Sequence, residues 1–87
     1  MTSHTTRQFR ELLQRLPSET ANQARRAFRW FAQDPHHDSL SFKQVKPGIW
    51  SARVGIHHRA LAIREGDDVV WFWIGSHADY DQLLRRR

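Results

Sequence analysis

Apolar positions in the first third of the chain fall at helical spacing. Phe9, Leu12, Leu13 and Leu16 recur at i, i+3, i+4 and i+7, which predicts an amphipathic helix over about Thr6–Leu16. Pro17 ends that stripe. Ser18 is placed to cap a second helix, with Glu19 in its first turn near the positive end of the helix dipole. The second helix is expected to run to about Gln33, with Ala24, Ala27, Phe28 and Phe31 inward and Arg25, Arg26 and Arg29 outward. Asp34-Pro35 stops it, because the residue before proline is driven out of the helical region. Two helices across so short a break read as an αα-hairpin.

From Ser39 the period changes. Leu40–Val45 reads as a short strand, and Pro47-Gly48 suits the central positions of a type II turn. Trp50, Ala52, Val54 and Ile56 alternate with Ser51, Arg53, Gly55 and His57, the signature of a half-buried strand. Arg59–Arg64 is the next strand, and Glu65-Gly66-Asp67-Asp68 supplies a hairpin turn. Val69–Ile74 is apolar at nearly every position, as in a strand covered on both faces, with Trp71 and Trp73 expected on one face beside Val69. Ser76 can cap a last helix whose packing side is Tyr80, Leu83 and Leu84, with Asp79 three residues after the cap. The pattern predicts one α+β domain over residues 1–87: an N-terminal helical hairpin on a three- to four-stranded antiparallel sheet, then a short C-terminal helix. The second sheet face is expected to be partly open, and concave if the sheet twists strongly.

Composition narrows the chemistry. The chain has 87 residues and no cysteine, so no disulfide or thiolate metal site is available and a reducing compartment, the cytoplasm, is expected. No apolar run reaches the length of a membrane span, and the N-terminus lacks the apolar core of a secretory signal. Net charge is +5, and all but Lys43 and Lys46 of the 14 basic residues are arginine. Arginine offers a planar fork for phosphate or carboxylate, so nucleic acid, an anionic surface or an acidic protein is the expected partner class. The histidines include adjacent pairs, His36-His37 and His57-His58, which point apart on regular structure, and no H-E-x-x-H spacing occurs; no metal or cofactor is expected.

The stretch W-S-A-R-V-G, then H-R-A-L, then W-F-W-I-G-S-H-A-D-Y resembles the RelE/ParE superfamily of bacterial type II toxins. In that family a strand carrying R-V-G precedes one beginning Y-R-x-L, and a later strand ends in I-G-H-R-x-x-x-Y. The L-P and D-P breaks and the S-L-S-F-K stretch extend the likeness over nearly the whole chain. It implies a helical hairpin on a curved antiparallel sheet. It also implies a growth-inhibiting toxin neutralised by a cognate antitoxin, with operator DNA reached only through that antitoxin.

RelE-like members cut mRNA in the ribosomal A site without a metal, whereas ParE-like members inhibit DNA gyrase. A degenerate member would bind its antitoxin and do neither. By resemblance Arg59, Arg53, His77 and Tyr80 are the candidate catalytic residues, and Lys43, Lys46, Arg53 and Arg59 the candidate RNA contacts. Two departures stand out: His58 replaces the family tyrosine, and Ser76 separates Gly75 from His77, which Ala78 rather than arginine follows. The residue types suit RNA cleavage. Imidazole moves protons near neutral pH, guanidinium stabilises phosphoryl charge, and an aromatic ring holds a splayed base. The outer arginines of the second helix offer a field complementary to an acidic antitoxin.

Overall fold

Pro47-Gly48 and Gly66-Asp67 are two of the turns that fold the second half of the chain back on itself. Gly48 has φ +74° and joins paired Lys46 and Ile49, and Gly66 has φ +60° between paired Glu65 and Asp68. Both positions need the left-handed backbone that glycine enters without a Cβ penalty. The computed structural model describes residues 1–86. Arg87, the end of the C-terminal arginine run, lies outside the described residues.

In chain order the elements are strand β1 (Thr2–Thr5), helix α1 (Arg7–Gln14), helix α2 (Ser18–Gln33), a 3₁₀ turn (Asp38–Leu40), strands β2 (Lys43–Lys46), β3 (Ile49–Val54), β4 (His58–Glu65) and β5 (Asp68–Ser76), and helix α3 (His77–Arg85). The α+β class and the helical hairpin stand as expected, and β2–β5 form the expected antiparallel meander. The sheet carries one further strand. β1 lies parallel to β5, giving the order β1-β5-β4-β3-β2. Its T-S-H-T sequence is exposed at every position and shows no alternation. Pairing with β5 makes it a strand, and Trp71 Nε1 donates to Ser3 Oγ at 2.8 Å.

Three local expectations change. Pro17, not Ser18, is the residue before the first turn of α2, and no side chain caps that end. Leu40 closes the 3₁₀ turn and Ser41 sits at φ +44°, so β2 starts only at Lys43. A bulge in β5 leaves Phe72 as an extra residue opposite Leu61 and Ala62, so Trp71 and Trp73 face opposite sides of the sheet.

The core lies between the helical hairpin and one sheet face. Phe9, Ala24, Ala27 and Phe31 from the helices meet Ala52, Val54, Ala60, Ala62, Val69, Trp71 and Ile74. Trp71 is fully buried, with ring centroids of Phe28, Phe31 and Phe42 at 5.5, 5.3 and 6.1 Å. Aromatic pairs at such distances add about 0.5–1.5 kcal/mol each beyond the burial itself. Trp50 packs on Phe42 at the rim, with the Arg64 guanidinium 4.6 Å from its ring. On the second face α3 lays Leu83 and Leu84 beside Ile49, Leu61 and Phe72. Ser76 caps α3 as expected, its Oγ accepting from Asp79 N at 3.1 Å, and His77 N donates to His57 O at 2.7 Å. No helix among the described residues is long and apolar enough to cross a membrane.

Candidate functional site

Strand register brings the candidate cations onto one face. Arg53 pairs with Arg59, Arg59 with Gly75, and Ser51 with both Lys43 and Leu61. Directly opposed residues share a sheet face, so Lys43, Ser51, Arg53 and Arg59 lie on the side that α3 covers. The bulge in β2 makes Val45 the extra residue and turns Lys46 to the same side, where it lines the groove with Ile49 and Leu83. Arg53 and Lys43 are exposed, Lys46 half-buried, and Arg59 only 7% exposed.

Arg59 is the centre of the site. Its Nε donates to Ser51 Oγ at 3.0 Å, and its Cζ lies 5.1 Å from the Tyr80 ring centroid. Its Nη2 is buried and has no hydrogen-bond partner. A buried guanidinium with one nitrogen left unpaired is costly, since that group gives up its hydration without a replacement acceptor. A desolvated cation–π contact returns about 2 kcal/mol, and one neutral hydrogen bond less. The remaining deficit is what an anionic oxygen would remove.

Tyr80 is buried, and His77 stacks with it at 5.7 Å and 16° between ring planes. His77 Nε2 lies 4.0 Å from Asp81 Oδ2, one helical turn on, and both side chains are about half exposed. The stack and cation–π contact place His77, Tyr80 and Arg59 in one continuous cluster at the junction of β4, β5 and α3. Arg53 joins it through its pairing with Arg59. Lys43 and Lys46 lie on the adjoining edge strand rather than within it.

Two participants escape a reading of the sequence. Ser51 looks like one polar member of an alternating strand, yet it is fully buried and holds Arg59. Gly75 looks like part of a motif, yet a Cβ there would come 2.5 Å from the Trp73 ring, so its bare backbone admits that indole beside Arg59's strand position. His58, in the place of the family tyrosine, pairs with Val54 and Ser76 rather than joining the Arg59 face. Burial pulls its pKa below the usual histidine value, with the neighbouring His57 charge adding to the shift. No group of three or more metal-ligating side chains is assembled among the described residues.

Residues 18–82 match the model of the ParE-like toxin domain. The chain therefore belongs to the ParE-like toxin domain family, within the RelE/ParE superfamily that its strand motifs resemble. It is similar to a chain of the RelBE2 toxin–antitoxin complex of Mycobacterium tuberculosis, at 22% identity and TM-score 0.66 over 87% of this chain and 96% of that one. It is similar to a chain of the RelB–RelE antitoxin–toxin complex of Methanococcus jannaschii, at 13% identity and TM-score 0.73 over 92% and 96%. A YoeB/ParE toxin from Agrobacterium tumefaciens is alike at 19% identity and TM-score 0.65, over 88% of this chain and 99% of that one. At these identities the likeness is one of fold. Comparison with curated proteins gives no match.

Proposed function

We propose that this chain is the toxin of a type II toxin–antitoxin pair and acts as a ribosome-dependent mRNA endoribonuclease in the cytoplasm, held inactive by a cognate antitoxin. The observation that carries the reading is the buried, unpartnered Nη2 of Arg59 beside an aromatic ring, on a sheet face that also bears Arg53, Lys43 and Lys46. A scissile phosphate supplies the acceptors that Nη2 lacks. Tyr80 must move aside for it, since the ring now lies over the guanidinium.

The cleavage step balances without a redox partner. The 2′-oxygen attacks phosphorus, its proton passes to a base, and the 5′-oxygen leaves and takes up a proton. The products are a 2′,3′-cyclic phosphate and a 5′-hydroxyl. Arg59 and Arg53 stabilise the charge that grows on the phosphoryl oxygens. His77 moves one proton. Tyr80 offers a ring on which a splayed base can stack. So small a site orders few atoms of a flexible RNA, and the ribosome supplies the alignment that otherwise costs entropy.

A second reading, a ParE-like inhibitor of DNA gyrase that does no chemistry, draws support from the ParE-like family match and from the ring that covers Arg59. One experiment separates the two. The chain is induced alone in a bacterial host while mRNA 5′ ends and plasmid supercoiling are followed together. The endoribonuclease reading expects growth arrest with new mRNA ends at A-site codons and normal supercoiling. Intact mRNA with lost supercoiling selects gyrase, and normal growth with soluble folded protein contradicts toxicity.

A further inference from the structure

Beside the Arg59 cluster is a second cleft of about 230 Å³, lined by Trp30 of α2, Ser39 of the 3₁₀ turn, and Arg53, Gly55 and Ile56. It exists because β2 is short. Lys43 is the first residue of β2 and pairs with Ser51, so the rest of β3 has no strand on that side. The loop after β3, which forms one wall of the cleft, is held against α2 by close packing. Gly55 sits at φ +61°, and a Cβ on it would come 2.5 Å from the Gln23 carboxamide oxygen. The Trp30 ring is fixed by a parallel stack on His37, 4.7 Å away with 3° between planes, and His37 Nδ1 accepts from Ser39 N at 3.1 Å.

The chemistry of this cleft is specific. Ile56 is 81% exposed, the most exposed large apolar side chain among the described residues. A rigid indole, a bare apolar side chain, a hydroxyl and a guanidinium face one space, and none of the lining residues is acidic. The volume is below the range of pockets that take whole cofactors or drug-sized ligands, but it is of the order of one flat ring system. Arg53 belongs to both places, lining this cleft and pairing across the sheet with Arg59.

We infer that the cleft is a subsite for a nucleotide flanking the scissile one in single-stranded RNA, its base against Ile56 and Trp30 and its phosphate on Arg53. This subsite rests on the RNA reading above. Stacking on apolar and aromatic side chains holds bases with little regard to sequence, so the subsite adds affinity and register rather than codon choice. The lack of an acidic lining residue and the shared Arg53 favour a polyanion that continues into the Arg59 site over a peptide.

The test is an NMR titration of the ¹⁵N-labelled full chain with an uncleavable 2′-O-methyl RNA hexanucleotide. The expected result is that the Trp30 indole and the Gly55 and Ile56 amides move together with the Arg59 and Gly75 signals, at one midpoint. Ile56→Glu, at an exposed loop position that leaves the fold intact, should weaken binding about tenfold while the Arg59 and Gly75 signals still move at higher RNA. Movement of the Arg59 and Gly75 signals alone overturns the subsite and leaves the RNA reading standing. No movement anywhere also overturns the subsite, while the ribosome-dependent reading stands or falls by the mRNA 5′ ends described above. Equal movement of the Trp30 signals with a glutamate hexapeptide also overturns the subsite, and marks the cleft as a protein-docking surface.

Discussion

The Arg59 guanidinium carbon lies 5.1 Å from the centroid of the Tyr80 ring, a contact that ties the centre of the sheet to the first turns of the last helix. Arg59 is held from the other side by Ser51, and Tyr80 is stacked with His77. A strand cation, a helix aromatic and a helix imidazole are thus set by one packing arrangement.

Tyr80→Phe and Tyr80→Ala should separate the two roles of the ring. The phenylalanine variant keeps the face that lies over Arg59 and should retain most cleavage if stacking is the contribution. The alanine variant should lose stability by about 3–5 kcal/mol and lose cleavage with it. Equal loss of cleavage in both, with the phenylalanine variant fully folded, would assign the hydroxyl a proton-transfer role. Primer-extension mapping in a ribosome reaction and chemical denaturation together read the result.

His77→Ala should lower the cleavage rate by about 10²–10⁴-fold while leaving the melting temperature nearly unchanged. The side chain is half exposed, and its contact with Asp81 is long, so little folding energy depends on it. Single-turnover cleavage at saturating ribosomes is the measurement. A folded variant that cuts at the full rate would take His77 out of the mechanism.

Gly75→Ala tests the floor of the site. The added methyl would meet the Trp73 ring at 2.5 Å, and Gly75 is paired with Arg59. Moving the indole should cost about 1–3 kcal/mol, measured by urea denaturation, and should reduce cleavage because the Arg59 strand is displaced.

Acid should destabilise the fold through His58. Its folded pKa is depressed below the ordinary 6.5, first by burial and then by His57. Between the two values the unfolded chain binds more protons, so this contribution is complete above about 6.5 and is lost as pH falls through the folded pKa. His58→Gln should flatten the fall in stability below pH 6.5, read from denaturation midpoints across that range. An unchanged slope would place the acid sensitivity elsewhere.

Much of this architecture was legible because local chemistry and tertiary contacts agree. The Phe9 and Ala24–Phe31 stripes mark the hairpin, Asp34-Pro35 its end, Gly48 and Gly66 two of the turns, and Ser76 the cap of α3. What escaped depends on pairing. β1 has four exposed polar residues and becomes a strand only because β5 offers an edge. The bulges at Val45 and Phe72 turn Lys46 and Trp73 to the α3 side, and no residue type announces them. Ser51 is a partner of Arg59 only through cross-strand register, which a sequence read one strand at a time does not contain.

The most direct measurement is made on Arg59→Met, with stability and cleavage read from the same preparation. Methionine fills similar space without a charge. If Arg59 is an unpaired cation kept for a substrate phosphate, the variant should be as stable as the parent or more stable, by up to about 1–4 kcal/mol. Its A-site mRNA cleavage should fall by about 10²–10³-fold. A marked loss of stability would make Arg59 a structural residue. A folded Arg59→Met protein that cuts mRNA at the parent rate would contradict the account outright.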